Sequence, residues 1–291
     1  SFPYGSNKRL LDLSFLGRKI NNKATYYPLK IIKRTREAVG KEFIIIYRLS
    51  MLDLVEGGSS QEEVIQLAKA VEKAGATLIN SGVGWHEARV PTISTSVPRS
   101  LFSQLAKAVK EHVTIPVITS NRINTPEVAE QLLADNCADM VSMARPFLAD
   151  PDFINKAAAD QSELINTCIA CNQACLDHTF DHKISSCLVN PRAANETLLN
   201  FLTVKQPKNI AVVGAGPAGL AFATYAAEKG HKVTLIDKGT EIGGQFNLAK
   251  QIPGKEEFFE TLRYFAKQLA RLNVTIKLNN LATVEDLVDF D

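Results

Sequence analysis

The chain has 291 residues, of which 45% are apolar and 22% charged, with a formal net charge of +2. These values are typical of a soluble globular protein of one or two domains and give no indication of a nucleic-acid partner. No apolar run approaches the roughly 18 residues of a membrane span, and no signal peptide is visible, so neither a membrane nor a secreted location is expected. The chain starts with Ser1 instead of methionine, and we therefore expect its true start to be missing.

The first half of the chain predicts strands that alternate with helices. Helices are predicted over 29–39, 59–74, 101–111 and from 125 onward, and strands over 43–49, 77–80, 115–119 and 139–143. The basic residues of the first helix, Arg36 among them, are assigned to its solvent-facing side. This rhythm is that of an α/β barrel or a doubly wound sheet.

Cationic and polar residues follow the predicted strands. Arg48, Arg122 and Arg145 and the block from Gly84 to Arg89 all lie near predicted strand ends. In a barrel the catalytic residues gather at the carboxyl ends of the strands, and the last strands often hold a phosphate. The alternative is that these arginines cap helices or pair on the surface.

Four of the five cysteines lie within twenty residues, with the spacing C-x2-C-x3-C-x11-C. Four thiolates from one short segment can hold an iron–sulfur cluster or a metal ion. Structural zinc sites more often carry two C-x2-C pairs, so the spacing favours a cluster and leaves zinc open. Clustered cysteines also argue against secreted disulfides and predict a reducing, cytoplasmic compartment. The fifth cysteine, Cys137, is interpreted as a small buried apolar group.

The last third contains a dinucleotide fingerprint. A predicted strand over 209–213 leads into the glycine-rich loop Gly214-Ala215-Gly216-Pro-Ala-Gly219 and then a helix, and Asp237 ends the next predicted strand, 18 residues after Gly219. Such glycines allow a pyrophosphate to approach a helix N-terminus, and the acid accepts hydrogen bonds from ribose hydroxyls.

Several motifs together carry a more specific resemblance. The chain resembles bacterial 2,4-dienoyl-CoA reductases in five segments. They are I-I-I-Y-R-L-S-M-L-D-L-V-E, G-W-H-E-A-R-V-P-T, N-R-I-N, V-S-M-A-R-P-F-L-A-D and T-C-I-A-C-N-Q-A-C. That family belongs to the old yellow enzyme class, in its iron–sulfur branch with trimethylamine dehydrogenase. The resemblance implies an α/β chain in three parts: the C-terminal half of a TIM barrel that binds FMN and substrate at 1–165, an iron–sulfur segment and linker at 166–206, and the start of a Rossmann-like FAD-binding domain at 207–291.

The resemblance also implies site residues. His86 would polarise the substrate and serve catalysis, and the substrate-binding group would be His86, Glu87, Ala88, Arg89 and Arg9. Arg48 would lie near the FMN ring, and Arg122, Ala144 and Arg145 would reach the FMN phosphate. A [4Fe–4S] cluster would bind Cys168, Cys171, Cys175 and Cys187. FAD would bind Gly214, Ala215, Gly216, Gly219, Asp237 and Gln245.

The activity implied is NADPH-dependent reduction of 2,4-dienoyl-CoA thioesters in unsaturated fatty acid β-oxidation. Electrons would pass from NADPH to FAD, through the cluster to FMN, and then to the enoyl-CoA-type substrate. The family motif N-x-R-x-D-x-W-G-G is absent from the front of this chain, and the first four barrel strands are expected upstream of Ser1. The chain is thus expected to be a fragment without a complete NADPH site.

Three alternatives remain open at this point. One is a related flavin oxidoreductase, such as an enone reductase or an amine dehydrogenase. Another is a truncated, inactive product. The third is a nucleotide-binding module held by zinc and without redox chemistry.

Overall fold

The computed structural model describes residues 23–85, 88–200 and 202–291. This part of the chain divides into two compact units. The first contains the described residues up to Ile93 together with Val97–Met143, and the second contains Ser94–Ser96 together with Ala144–Asp291. The predicted division after residues 165 and 206 stays a prediction.

The first unit is a parallel sheet with helical crossovers, as the alternation predicted. Its helices are α1 (Lys23–Val39), α2 (Gln61–Ala74), α3 (Ser103–Lys110) and α4 (Pro126–Ala134), and its strands are β1 (Ile46–Leu52), β2 (Leu78–Val83), β3 (Val117–Thr119) and β4 (Met140–Val141). The strands pair in parallel in the order β1-β2-β3-β4. All four therefore present their carboxyl ends at one edge.

Local capping signals fix the helix ends. Ser60 accepts a hydrogen bond from the backbone N–H of Glu63, whose side chain accepts one in return, which completes a capping box on α2. Gly75 ends that helix with φ of 107°, a left-handed conformation that glycine adopts without strain. Thr125 caps α4, and Pro126 occupies the first turn. The sequence predicts these helix ends from the Ser59-Ser60 start signal, from Gly75 and from Thr125-Pro126, and the structure confirms them.

The first strand differs from its prediction. The apolar run 43–49 predicts a strand that is buried on both faces, but β1 begins at Ile46, and Ile46 is 54% exposed. The inward residues Leu49 and Met51 are buried in the core with Val64 and Val71 of α2, and Tyr47 packs against it while partly exposed. Helices cover one face of this edge strand, and within the described residues nothing covers the other to the same extent.

The second unit contains a short parallel sheet, β5-β6-β7, with helices and the cysteine segment around it. Its strands are β5 (Asn209–Val213), β6 (Lys232–Ile236) and β7 (Thr275–Lys277). Its α-helices are α5 (Arg145–Ala149), α6 (Phe153–Ala158), α7 (His178–Phe180), α8 (Pro217–Glu228), α9 (Phe246–Ala249) and α10 (Phe258–Arg271), and a π-helical turn spans Gln173–Asp177. The core of the sheet region includes Leu220, Leu235 and Leu269. The β-α-β unit predicted around the glycine-rich loop is confirmed.

None of the helices in the described part of the chain has the length and apolar character needed to cross a bilayer.

The prediction that Arg36 lies on the solvent-facing side of α1 is wrong. Its side chain instead anchors α1 to neighbouring segments. Its Nε atom donates to the Gly75 carbonyl at 2.9 Å, and Nη2 donates to Thr77 Oγ1 at 2.8 Å. Nη1 donates to the carbonyls of Gly40, Lys41 and Phe43, at distances between 2.5 and 3.2 Å. One guanidinium thus hydrogen-bonds acceptors in the loop after α1, at the C-terminal end of α2 and just before β2.

We expect Arg36→Lys to lower the free energy of unfolding by about 2 kcal/mol, because an ammonium group cannot span the same acceptors. Arg34→Lys is the matched control, since Arg34 is exposed on the same helix. Urea titrations followed by circular dichroism would measure both. Equal stability of the two variants would contradict the anchoring role.

Candidate functional site

Unsatisfied polar atoms mark the strands of the first sheet. Arg48 is exposed on β1, where its register partner on β2 is Asn80. Asn80 Oδ1 and, on β3, Thr119 Oγ1 are buried, and neither has a hydrogen-bond partner among the described residues. Buried polar atoms normally find a partner, which can be a ligand or an ordered water. The first unit therefore has donors and acceptors available for a polar ligand such as FMN.

Arg122 follows β3 in an unusual backbone conformation. Asn121 and Arg122 have φ of 71° and 56°, so two successive non-glycine residues are left-handed, as happens mostly at functional sites. Arg122 is only 4% exposed, and its Nε donates to the Val97 carbonyl at 2.7 Å. The predicted phosphate-binding arginine is thus held rigidly in the first unit.

Part of the predicted substrate-binding group can be located. Trp85 follows β2 and its N–H donates to the Asp53 carbonyl at 3.0 Å, and Ala88 N–H donates to the Trp85 carbonyl at 3.0 Å. Arg89 is exposed. His86, Glu87 and Arg9 lie outside the described residues, so their roles stay predictions.

The four clustered cysteines line one small cavity in the second unit. The cavity has about 10 Å³ of space, roughly the room that one water molecule needs, and its wall contains Cys168, Cys171, Cys175 and Cys187. Among the described residues none of the four is joined in a disulfide bond, and Cys168 is buried. Within the described residues, however, no three His, Cys, Asp or Glu side chains are arranged to hold a metal ion. The donor set fits a metal or cluster in its chemistry, because four thiols border one cavity.

Burial raises the pKa of two of these thiols. It raises the pKa of Cys187 to about 11 and also raises the pKa of Cys171. Only thiolates bind metal, so binding must supply the positive charge that makes deprotonation favourable. Cys137 is separate from this group: it is 2% exposed and packs with Ile123 and Leu132, which confirms its interpretation as a buried apolar group.

Arg263 on α10 fastens the start of the cysteine segment, a role that sequence reasoning missed. Its guanidinium donates to the Glu163 carbonyl, to the Ile165 carbonyl at 2.8 Å and to Thr167 Oγ1 at 3.0 Å. These contacts span 96 to 100 residues of sequence, so no local pattern could have signalled them. The helix α10 therefore holds Thr167, the residue next to Cys168.

The glycine-rich loop is built around a close backbone approach. Gly214 ends β5 with φ of 104°. A Cβ atom on Gly219 would lie 1.8 Å from the Gly214 carbonyl oxygen, so only glycine fits there. Gly216 precedes α8 as its N-cap, and a Cβ atom there would meet nothing within 4 Å. The loop leaves an open space at a helix N-terminus, which is where a pyrophosphate binds in such folds.

Asp237 holds this loop in place. One carboxylate oxygen accepts from the Ala215 N–H at 2.6 Å, and the other accepts from the Gly239 N–H at 2.6 Å. The two hydrogen bonds lower the pKa of Asp237 below its usual value, so the group is ionised at neutral pH. Each oxygen keeps a second lone pair, which leaves the predicted contact with ribose hydroxyls chemically feasible.

The segment before α9 packs on the same loop. Gly243 has φ of 117°, and its N–H donates to the Ala215 carbonyl at 2.7 Å. A Cβ atom on Gly244 would lie 3.1 Å from the Gly216 Cα. Gln245 follows as the exposed N-cap of α9. The structure therefore brings Gly214, Ala215, Gly216, Gly219, Asp237 and Gln245 into one region.

Two glycine substitutions separate the structural role from the binding role. Gly219→Ala should lower the free energy of unfolding by about 3 kcal/mol, because the new methyl group overlaps a carbonyl oxygen. Gly216→Ala should change stability by less than about 1 kcal/mol but weaken FAD binding about tenfold or more, since its methyl group occupies the open space. Thermal unfolding and FAD fluorescence titration would measure these effects, and undiminished FAD binding by Gly216→Ala would contradict the proposed contact.

Comparisons with known proteins match two parts of the chain to two families. Residues 16–163 match the NADH:flavin oxidoreductase / NADH oxidase family, and residues 208–288 match the pyridine nucleotide-disulphide oxidoreductase family. A metal reductase of Desulforamulus reducens is 42% identical over 90% of this chain and 39% of its own length. An NADH oxidase of Thermoanaerobacter brockii is 36% identical over 90% of this chain and 41% of its own length.

A solved structure supports the same relationship. The complex of a 2-naphthoyl-CoA reductase with 2-naphthoyl-CoA has a TM-score of 0.90 and 33% identity to this chain, and it covers 94% of this chain and 44% of that one. The chain thus spans about two fifths of the length of the curated relatives it matches. On the match over residues 16–163, the chain belongs to the NADH:flavin oxidoreductase / NADH oxidase family of flavin-dependent oxidoreductases.

Proposed function

We propose that this chain contributes to an NAD(P)H-dependent flavin enzyme that reduces a conjugated acyl-CoA thioester of the 2,4-dienoyl-CoA type. The observation that carries the proposal is that four cysteines line one cavity in the same compact unit as the dinucleotide loop. The likeness to a CoA-thioester reductase supports the substrate class. Reduction of 2,4-dienoyl-CoA remains the specific hypothesis.

The residues that would hold each group follow from their positions. Arg48, Arg122, Ala144 and Arg145 would contact FMN, the loop 214–219 with Asp237 and Gln245 would hold FAD, and Cys168, Cys171, Cys175 and Cys187 would bind a [4Fe–4S] cluster. When bound, the flavins supply hydride chemistry and the cluster supplies single-electron transfer. A cluster between the two flavins would be useful, because flavins in separate domains cannot exchange hydride directly.

The chain's own residues would bind and orient these groups. Asp237 fixes the loop amides through its two short hydrogen bonds, and Arg263 fixes the residues before Cys168. His86 would hydrogen-bond the thioester carbonyl and stabilise negative charge that develops on its oxygen during reduction. Arg48 would neutralise charge near the reduced flavin ring.

The first test is cofactor content. We expect anaerobically purified chain to contain about four irons with equal acid-labile sulfide, together with flavin. Cys187→Ser and Cys175→Ser should lose the iron, whereas Cys137→Ala is the matched control and should retain it, since Cys137 lies in a separate apolar cluster. Zinc without iron or sulfide in the native chain would contradict the cluster.

The second test separates the two half-reactions in the whole protein that carries these residues. We expect His86→Ala to slow reoxidation by a 2,4-dienoyl-CoA about a hundredfold, the range of a lost proton or hydrogen-bond donor. Flavin reduction by NADPH should be nearly unchanged. Stopped-flow absorbance measures both rates, with His112→Ala as a control because His112 is exposed at the end of α3.

Two results would contradict this function. Equal loss of both half-reactions would exclude a specific substrate role for His86. Oxidation of amines without any reduction of conjugated thioesters would replace the proposed substrate class with amines. A solved structure similar to this chain is named as a histamine dehydrogenase from Rhizobium, which makes this outcome worth testing.

A further inference from the structure

The cavity lined by the cysteines contains one charged side chain. Besides the four cysteines, its wall contains Arg145, Asn172 and four apolar residues, Leu148, Ile169, Leu188 and Val189. Among the described residues that line this cavity, Arg145 is the only basic one, and none is an aspartate or a glutamate. The resemblance assigned this arginine to the FMN phosphate, and in the structure the same residue also lines the cysteine cavity.

A hydrogen bond holds the arginine in that position. Arg145 Nη1 donates to Asn172 Oδ1 at 2.5 Å. Asn172 has φ of 63° and directly precedes the π-helical turn that carries Cys175. Asparagine tolerates this left-handed conformation better than most residues. The bond therefore connects the first residue of α5 to the loop between Cys171 and Cys175.

We infer that Arg145 is a positioning residue that raises the reduction potential of the cluster bound by the four cysteines. The inference rests on the proposed function, because it requires that a cluster binds. Reduction adds one electron and one negative charge to the cluster without breaking or forming a covalent bond. A guanidinium remains protonated under all working conditions, so it stabilises the reduced form more than the oxidised form.

The surroundings strengthen this effect. Coulomb interactions become stronger as the local dielectric constant falls. An apolar wall lowers that constant relative to water. Net charge, hydrogen bonding and solvent exposure are the features that adjust cluster potentials in proteins. The same cation on an open surface would be screened by solvent and salt.

The test compares charge-neutral and charge-retaining variants. Arg145→Gln should lower the ratio of reduced to oxidised cluster about tenfold at a fixed potential, which corresponds to about 59 mV for one electron. Arg145→Lys should restore most of that ratio. Asn172→Gly keeps the left-handed backbone and the arginine but removes the hydrogen bond, and it should give a smaller fall in the same direction.

Lys183→Gln is the matched control, because it removes a positive charge from the same cysteine segment at a solvent-exposed position. Anaerobic titration with dithionite and mediators, followed by electron paramagnetic resonance, measures the ratio, and iron, sulfide and FMN are assayed in every variant. If Arg145→Gln fails to retain iron, the comparison between Asn172→Gly and the native chain decides the question.

The outcomes separate this inference from the function on which it rests. An unchanged ratio in both Arg145→Gln and Asn172→Gly, with full iron and sulfide, would overturn the inference and leave the cluster intact. Loss of FMN from Arg145→Gln with an unchanged cluster ratio would also overturn it, since the arginine would then serve the phosphate alone. An equal fall in Lys183→Gln would indicate a general charge effect and overturn it too. Absence of iron from the native chain would remove the proposed function and the inference together.

Discussion

Parallel strand pairing is the constraint on which the rest of this structure depends. Parallel neighbours run in the same direction and are joined by crossover connections. Within each sheet, all strands therefore end at one edge of that sheet. The order β1-β2-β3-β4 brings Trp85 and Arg122 to the end of the first sheet, and β5-β6-β7 brings Gly214 and Asp237 to the end of the second. In open α/β sheets, ligands bind outside these carboxyl ends. Both candidate binding regions therefore follow from a single pairing rule.

Features encoded by neighbouring residues were predictable from the sequence. The capping box at Ser60, the left-handed Gly75 and the β-α-β unit around Gly219 depend on residues a few positions apart, and all three are present. Contacts between distant segments were not predictable. Arg36 and Arg263 are indistinguishable from ordinary surface cations on a helix, because the carbonyls that they satisfy come from chain segments joined only by the fold.

The edge strand shows why burial is harder to predict than strand identity. An apolar run tells us that β1 is a strand, but burial depends on what covers each face. Leu49 and Met51 face the helices and are buried, whereas Ile46 on the same strand is more than half exposed. Similarly, the resemblance assigned Arg145 to the FMN phosphate, and no sequence pattern indicated that the same residue lines the cysteine cavity. Side-chain direction is fixed by packing, which one sequence does not reveal.

The cysteine cavity connects burial, charge and binding in one argument. An apolar wall disfavours thiolates, which is why burial raises the pKa of Cys187 to about 11. The same wall strengthens the attraction between any thiolate that forms and a nearby positive charge. Ligand deprotonation and metal binding must therefore occur together, because the metal provides the compensating charge. Iron and zinc both meet this requirement, so cysteine spacing alone cannot distinguish them. The fixed cation of Arg145 matters for redox chemistry in particular, since zinc does not change its charge and a cluster does.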